Sequence, residues 1–247
     1  MDRWASFRFF GSLNDFLPLV KKEVAIPYPF TGVPAVKDAI EAIGIPHPEI
    51  AGILINQQPA QPTTPLHPGD QVKVYPFNGD YPGYPGYALR PEPPLPVRFI
   101  LDVHLGKLAK ALRILGFDAC YQNDYDDKTI ASLAAREKRL VLTRDIGLLK
   151  HKAITWGYWL RSQHPEKQIT EVLQHFRLQD QAAPFTRCLA CNAPIEAVPK
   201  EMVWEQLPPN TRLYFEEFFR CIQCRRVYWK GSHYQRMQAF VNLLPTR

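Results

Sequence analysis

The chain has 247 residues, 46% of them hydrophobic and 22% charged, and its 30 basic against 24 acidic side chains give a formal net charge of +6. So high an apolar content at so modest a net charge excludes a disordered chain. No stretch approaches the roughly 18 consecutive apolar residues that cross a bilayer, and residues 1–4 lack the apolar segment of a secretory signal. We therefore expect a cytoplasmic globular protein of two or three small domains, without a membrane partner.

Residues 1–78 predict a β-grasp, ubiquitin-like domain. Polar and apolar side chains alternate over residues 4–9, as in a half-buried strand, and residues 36–43 space their apolar side chains for a short helix that Gly44 ends. Three further strands are predicted at residues 24–28, 53–55 and 71–75. A conjugating ubiquitin would end in Gly-Gly, whereas this chain runs on, so the pattern favours a binding or spacer role over conjugation.

Proline and glycine predict a semi-rigid linker over residues 79–97, because 17 of the 24 prolines precede residue 98 and Pro-Gly pairs form turns within that stretch. Basic residues outnumber acidic ones only after it, by 14 to 10 in residues 98–180 and by 9 to 5 in residues 181–247. A polyanionic partner is expected to dock there, although an excess of this size also suits an ordinary solvated surface.

Residues 98–180 alternate between strand and helix. Apolar runs at residues 97–101, 117–121 and 140–143 are separated by stretches in which leucine, isoleucine and alanine recur at helical spacing. Such crossovers imply a parallel sheet whose strand ends face one edge. Each strand is followed by acidic residues, which are Asp102 after the first strand, Asp124, Asp126 and Asp127 after the second, and Asp145 after the third.

Carboxylates at the ends of neighbouring parallel strands are expected to meet in the crevice outside the sheet. When they are held close they repel one another, and a hard divalent cation relieves the repulsion. Mg²⁺ or Mn²⁺ bound in this way activates water and stabilises a phosphate under attack, so the pattern predicts phosphodiester hydrolysis. Each acid could instead cap the helix that follows it, and acids at strand ends also occur in phosphatase and receiver folds.

Four segments closely resemble a PIN-like ribonuclease domain of the Mut-seven C-terminal RNase family, and they are residues 99–102, 105–118, 127–130 and 142–145. The resemblance implies a PIN-type α/β sandwich and metal-dependent RNA cleavage by acids that match Asp102, Asp127 and Asp145, with Asp124 as a fourth. On the helix after the first acid the family often has Arg followed by Trp, where this chain has Lys110-Ala111. Residues 13–17, 36–41 and 69–72 resemble the ubiquitin-like domain often fused in front of that ribonuclease.

Cationic side chains accompany the acids. Lys107, Lys110 and Arg113 recur every three residues on the first helix, opposite its leucines, and Lys107 begins about one turn after the first acid. We expect them to contact RNA phosphates, although lysine is also the usual coat of an amphipathic helix. Arg144, beside Asp145, is expected to orient that acid or to contact the substrate.

Residues 181–247 predict a zinc ribbon. Cys188 and Cys191 form one Cys-x-x-Cys pair, and Cys221 and Cys224 form another after an interval of 29 residues. Four thiolates would clasp one tetrahedral Zn²⁺, and with no open coordination position that ion would stabilise the fold and take no direct part in catalysis. A redox dithiol and an iron–sulfur cluster are the alternatives.

The segment after the second cysteine pair, residues 225–236, interleaves five cationic residues with three aromatics. This combination suits the binding of phosphates while unpaired bases stack. Lys230 is its candidate substrate contact, and the family resemblance adds His233. Tyr228 and Trp229 could instead pack the small core of the ribbon.

We therefore predict an α/β protein, in which a PIN-like parallel-sheet domain lies between an N-terminal β-grasp domain and a C-terminal zinc ribbon. It would be a metal-dependent endoribonuclease that cuts RNA with Mg²⁺ or Mn²⁺ and contains a structural Zn²⁺. One alternative is a protein that keeps the same scaffold and binds RNA or a protein without cutting. Another makes the ubiquitin-like domain the functional centre, which recruits a protein partner to which the rest of the chain is tethered.

Overall fold

A computed structural model describes residues 3–77, 89 and 91–244. Most of the predicted linker, residues 79–88 and 90, lies outside the described residues. The chain divides into two compact units, one made of residues 1–94 and 131–159 and the other of residues 95–130 and 160–247. The domain limits drawn from the sequence stay a prediction, and the predicted nuclease range 98–180 contributes to both units.

The strands are short. In chain order they are β1 (Arg3–Phe9), β2 (Ile26–Phe30), β3 (Ile50–Ile55), β4 (Gln58–Pro59), β5 (Gln71–Pro76), β6 (Arg98–Leu101), β7 (Asp118–Cys120), β8 (Leu140–Thr143), β9 (Gly157–Trp159), β10 (Ile195–Val198), β11 (Phe218–Cys221) and β12 (Val227–Trp229).

The helices follow the same order. They are α1 (Val36–Ile43), α2 (Gly106–Ile114), α3 (Asp127–Glu137), α4 (Ile146–Leu149), α5 (Pro165–Phe176), α6 (Pro209–Tyr214) and α7 (Ser232–Leu243), with short 3₁₀ helices between several of them.

The first unit contains a five-stranded sheet in the order β2-β1-β5-β3-β4. The central pair β1 and β5 is parallel and the other pairs are antiparallel, which is the arrangement expected of a β-grasp domain. Alternate residues of the central strands face inward, so that Phe7, Phe9, Val72 and Val74 are buried together with Ile40 of α1. The core of this domain therefore consists of the apolar side chains that recur every second residue in the strands and about every 3.6 residues in the helix.

Residues 131–159 belong to the same unit and pack directly against the ubiquitin-like domain. They contribute the parallel pair β8 and β9 and the short helix α4. His47 Nε2 lies 2.8 Å from the carbonyl oxygen of Ile154, and Lys150 Nζ donates to the carbonyl oxygen of Glu41 at 2.7 Å. The ubiquitin-like domain thus shares a compact unit with part of the predicted nuclease range.

The second unit is built around the parallel pair β6 and β7. Phe99 of β6 is fully buried and its ring lies against the rings of Phe117 and Phe176. The chain turns after α2 at Gly116, which has a φ of +87°, and a Cβ atom there would lie only 2.1 Å from the carbonyl oxygen of Ala183. Only glycine fits this close approach of two backbone segments.

The C-terminal part of the second unit is a small ribbon. Strands β10, β11 and β12 form an antiparallel sheet, and its core consists of Val203, Leu207 and Phe218. The long interval between the two cysteine pairs contains β10, two 3₁₀ helices, α6 and most of β11, and α7 follows the last strand. The predicted fold class is therefore confirmed as mixed α/β with an N-terminal sheet domain, parallel strands in its central range, and a C-terminal cysteine cluster.

None of the helices within residues 3–77 and 91–244 is long and apolar enough to span a membrane.

Candidate active site and metal centre

Asp102 directly follows β6 and is buried, with 8% of its surface exposed. Its Oδ1 accepts a hydrogen bond from the backbone N–H of His104 at 3.3 Å, so it caps the short 3₁₀ helix that begins there. The Tyr121 hydroxyl donates to the carbonyl of Val103 at 2.8 Å, and a Cβ at Gly106 would lie 2.8 Å from that hydroxyl oxygen. The turn that presents Asp102 is therefore fixed by its own backbone and by the end of β7.

The acidic loop after β7 divides its roles between neighbouring residues. Asp124 is exposed in a turn and Asp127 is exposed as the first residue of α3. Asp126 Oδ1 accepts from the backbone N–H of Thr129 at 2.8 Å, and hydrogen bonds from Thr129 lower the pKa of the Asp126 carboxyl. The capping role that the sequence left open between Asp126 and Asp127 is thus taken by Asp126.

Asp145 lies two residues beyond β8 in the first unit, at the N-terminus of α4. Its Oδ1 accepts from the Gly147 N–H at 2.6 Å, and its own N–H donates to Oγ1 of the buried Thr143 at 2.8 Å. Within the part of the chain that the structure describes, Oδ2 of Asp145 has no hydrogen-bond or ion-pair partner. That oxygen is an anionic, hard donor of the kind that Mg²⁺ and Mn²⁺ prefer.

The loop that carries Asp145 is held by a tryptophan and a buried acid. The indole Nε1–H of Trp159 donates to the carbonyl of the half-buried Arg144 at 3.0 Å, and the Trp159 backbone N–H donates to Oε1 of Glu49 at 2.6 Å. Glu49 is 3% exposed and belongs to the ubiquitin-like domain. The sequence contains no local signal for this contact, because Glu49 and Trp159 are separated by 110 residues.

Asp102, Asp124 and Asp127 belong to the second unit and Asp145 to the first. Their convergence around one cation stays a prediction.

Lys107 and Lys110 are exposed on α2, as the spacing predicted. Arg113 is not, because only 5% of its surface is exposed. Its Nε donates to the carbonyl of Ala119 at 3.0 Å, and its Nη1 donates to the carbonyls of Leu189 and Ala190 at 3.1 and 3.0 Å. The prediction that Arg113 lies on an open face of the helix is therefore wrong.

The physical reason is that the first cysteine pair covers the last turn of α2 at Arg113, while the earlier turns with Lys107 and Lys110 stay exposed. The carbonyl groups of a tight knuckle point away from the metal site and need donors, and the planar guanidinium group supplies several in a fixed geometry. Burial lowers the pKa of Arg113, while the nearby thiols and Asp118 act to raise it. Helical spacing alone could not reveal this contact, since it depends on a segment about 76 residues further along.

The four cysteines converge. The Sγ atoms of Cys188, Cys191, Cys221 and Cys224 all lie within 4.8 Å of one another. Two of the distances are 3.5 Å, between Cys188 and Cys224, and 3.3 Å, between Cys191 and Cys221. A tetrahedral site with Zn–S bonds of about 2.3 Å has S···S edges of about 3.8 Å, so the four sulfurs already lie near the spacing that such an ion needs.

Donors around the sulfurs also fit a thiolate site. The backbone N–H of Cys191 points to Cys188 Sγ at 3.5 Å, and those of Gln223 and Cys224 point to Cys221 Sγ at 3.4 Å. Burial would raise the pKa of the Cys188 thiol, but hydrogen bonds from Cys191, Tyr228 and the backbone lower it to about 6. Burial raises the pKa of Cys191 to about 12, and a bound divalent cation is what would ionise such a thiol.

Tyr228 belongs to this metal-binding cluster. Its hydroxyl accepts from the Leu189 N–H at 3.1 Å and lies 3.0 Å from Cys188 Sγ, and burial raises its pKa, so it stays a protonated donor. Trp229 is half-buried and packs against the core of the ribbon. Trp229 therefore packs the core of the ribbon, as the alternative interpretation predicted, whereas Tyr228 bonds to the first cysteine pair.

The remaining candidates lie on the surface of the ribbon. Lys230 is exposed and pairs with Glu217, a hydrogen bond that raises the pKa of the lysine. His233 is exposed in the first turn of α7. Neither residue is buried or committed to the core, so both are accessible to a large substrate.

Asn192 is a structural residue that sequence reasoning missed. Its side chain accepts from the Ala119 N–H at 2.9 Å and donates to Asp118 Oδ1 at 2.7 Å, so it joins β7 to the first knuckle. Its φ of +71° is a conformation that asparagine tolerates better than most residues. The available signal was asparagine itself directly after Cys191, because asparagine is enriched at positive φ.

Comparison with known families matches both parts of the chain. The model of the Mut7-C RNAse domain matches residues 97–241, and that of Mut7-C ubiquitin matches residues 3–81. No curated protein and no solved structure matches the chain. Because the first match spans more than half of the sequence and contains the candidate acids and all four clustered cysteines, the chain belongs to the Mut7-C RNAse domain family, with a Mut7-C ubiquitin domain in front of the RNAse domain.

Proposed function

We propose that the protein is a metal-dependent endoribonuclease whose Mg²⁺ or Mn²⁺ is held by Asp102, Asp124, Asp127 and Asp145. Membership of an RNAse-domain family indicates a ribonuclease-type function. The observation that carries the finer proposal is the buried carboxylate of Asp102, which directly follows β6 inside the matched range. Ligands bind in the crevice outside the carboxyl ends of parallel strands, and carboxylate oxygens are the donors that Mg²⁺ and Mn²⁺ prefer, so an acid at this position favours a cation there.

The residues of the chain would have separate roles in binding the cation and in binding the RNA. A bound cation supplies Lewis-acid stabilisation of the phosphate and an activated water. Lys107 and Lys110, which are exposed on the helix after Asp102, would bind the phosphates beside the scissile bond. Arg144 would orient Asp145, and Lys230 and His233 would bind the RNA backbone further away.

A second ion would serve the fold. We propose Zn²⁺ in the four-cysteine cluster, where four sulfurs leave no position for a substrate and the ion stabilises the ribbon. Arg113 is then a positioning residue for the first knuckle and makes no contact with the substrate. RNA is the proposed partner, a protein partner is proposed for the ubiquitin-like domain, and the cytoplasm stays the predicted location.

The test is a cleavage assay on a single-stranded RNA with Mn²⁺ or Mg²⁺, using Asp102→Asn and Asp145→Asn. Even groups that only orient a metal ligand are worth about 10- to 100-fold in activity, so we expect each variant to lose about 100-fold or more. Asp126→Asn is the matched control, because asparagine also caps helices and this acid is already used as a cap. Zinc content should be unchanged in all three variants.

A non-catalytic RNA-binding protein is the second candidate. It is favoured by one observation, that Asp102, Asp126 and Asp145 each accept a backbone N–H of the segment that follows, a structural role that needs no cation. If parent and variants cleave equally, the activity belongs to a contaminant and this second function takes precedence. RNA binding by the parent, measured without added Mg²⁺ or Mn²⁺, should then survive.

A further inference from the structure

A pocket of about 320 Å³ lies between the ribbon and α7. Its volume is at the lower end of the range for small-ligand sites, which suits one planar group better than a peptide or a folded surface. Aromatic and cationic side chains line most of it, and the principal ones are Phe185, Phe219, Trp229, Tyr234, Arg187 and Lys230.

The aromatic residues form two sides of the pocket. The ring centroids of Phe185 and Tyr234 are 4.5 Å apart and the rings are inclined by 44°, so two of the aromatic rings that line the pocket pack against each other. Phe185 has a φ of +62°, an unusual conformation for a bulky residue, which is kept only where the surroundings fix it. Here the Phe185 N–H donates to the carbonyl of Ile114 at 2.9 Å.

The metal-binding cluster fixes another part of the lining. Tyr228 lines the pocket, and its hydroxyl is tied to Cys188 Sγ and to the N–H of Leu189. A planar ligand would therefore enter a preformed site and would not have to order the chain, which reduces the entropic cost of binding.

The charge around the pocket favours a polyanion. From residue 218 to residue 247 the chain has six Lys and Arg and not one Asp or Glu. Arg225 and Arg226 are exposed in the turn between β11 and β12, and Arg236 is exposed on α7. Of the cationic residues, Lys230 and Arg187 line the pocket itself, where they pair with Glu217 and Asp118. Aromatic and basic side chains in one segment are the two components that bind single-stranded nucleic acid, namely stacking platforms and phosphate contacts.

We propose that this pocket binds one unpaired base of an RNA chain, with the surrounding basic residues on the adjacent phosphates. The inference rests on the RNA substrate of the proposed function but not on cleavage. It separates recognition from chemistry: the base is held by Phe185 and Tyr234 on the ribbon, while the acids lie elsewhere in the sequence. The RNA would therefore have to be single-stranded where it meets the ribbon.

The experiment measures binding of two fluorescent oligoribonucleotides of equal length, one normal and one made entirely of abasic units, without added Mg²⁺ or Mn²⁺ and with zinc in place. Phe185→Ala and Tyr234→Ala are compared with the parent. Tyr214→Ala is the matched control, since Tyr214 is also in the ribbon but is 77% exposed and does not line the pocket. Tyr234→Phe keeps the ring and loses only the hydroxyl group.

We expect each of the two alanine variants to bind normal RNA about 10-fold more weakly, the loss of about 1.4 kcal/mol that one stacked base represents. Neither should weaken binding of the abasic chain, and Tyr214→Ala and Tyr234→Phe should bind both chains like the parent. Zinc content and the urea midpoint are measured on every variant, so that unfolding is recognised and the comparison then relies on the variant that folds.

Equal losses for the normal and abasic chains, or normal binding by both alanine variants, would overturn the proposal. So would a parent protein that binds no RNA, the result expected if the ribbon serves a protein partner. Loss of cleavage in the acid variants has no bearing on it, and a base-dependent affinity with no cleavage at all would retain the pocket and refute the nuclease.

Discussion

Arg113→Met tests whether this arginine braces the cysteine knuckle or binds phosphate. Methionine keeps most of the aliphatic stem and removes the guanidinium group, which makes three hydrogen bonds of 3.0 to 3.1 Å to backbone carbonyls. A hydrogen bond from a charged donor contributes roughly 1.5 to 3 kcal/mol. Relief of the cost of burying the charge offsets part of that sum.

The net loss also depends on how well the abandoned carbonyls are hydrated. Ala119 is buried, so water does not replace the guanidinium group at its carbonyl, whereas Ala190 is exposed and its carbonyl can bind water. We therefore expect Arg113→Met to lower the free energy of unfolding by about 2 to 4 kcal/mol. Lys110→Met, on the exposed face of the same helix, should change it by less than about 0.5 kcal/mol.

Urea unfolding with an unchanged m-value measures this difference, and release of zinc to a coloured chelator measures whether the knuckle has loosened. Zinc should leave Arg113→Met faster than Lys110→Met. The reasoning is refuted if the two variants are equally stable while Arg113→Met binds RNA more weakly than the parent. In that case the slope of log affinity against log salt concentration should also fall by about one, which is the signature of a lost phosphate contact.

Two further predictions concern stability. Gly116→Ala should cost at least about 2 kcal/mol, since its Cβ would lie 2.1 Å from the Ala183 carbonyl oxygen at a φ of +87°. Gly32→Ala, with a φ of +66° but nothing within 4 Å, should cost only about 1 kcal/mol, and similar urea midpoints would contradict the clash. Burial and Arg161 lower the pKa of His175 from 6.5 to about 4. On acidification His175 is therefore protonated at a higher pH in the unfolded chain than in the folded one, and the free energy of unfolding falls as the pH drops from about 6.5 towards 4. Between pH 7 and 4.5 the parent should lose roughly 2 kcal/mol more than His175→Gln, and parallel stability curves would show that His175 is not buried as a neutral ring.

Local patterns predicted most of the secondary structure, because the spacing of apolar residues identifies each helix or strand from its own segment. The helix at Val36–Ile43 was predicted to the residue, since its apolar spacing and Gly44 with a φ of +130° are both local. The strand β8 was likewise predicted with its observed bounds, residues 140–143. The second strand was predicted two residues early, at 24–28 against an observed Ile26–Phe30, because two prolines within it blur the alternation.

Contacts between residues far apart in the chain could not be predicted from the sequence. Arg113 has the spacing of a surface residue, and only the knuckle some 76 residues away makes it a buried one. Glu49 and Trp159 carry no motif, yet they hold the loop of a predicted catalytic acid. The cysteines were predicted correctly as a cluster because metal ligands have a characteristic spacing that survives any insertion between the pairs.

The hydrogen bond between Glu49 and Trp159 has a consequence for dissecting the molecule. A fragment that begins after the proline-rich segment lacks Glu49, so the Trp159 backbone N–H would lose its hydrogen-bond acceptor. The fragment would also expose Ile154, which is fully buried in the whole chain. It would also expose the ring of Trp159 that Phe16 covers, with centroids 5.0 Å apart. Such a fragment should self-associate through this bared apolar face, and its poor behaviour would reflect a missing neighbour and not a defect of its catalytic residues.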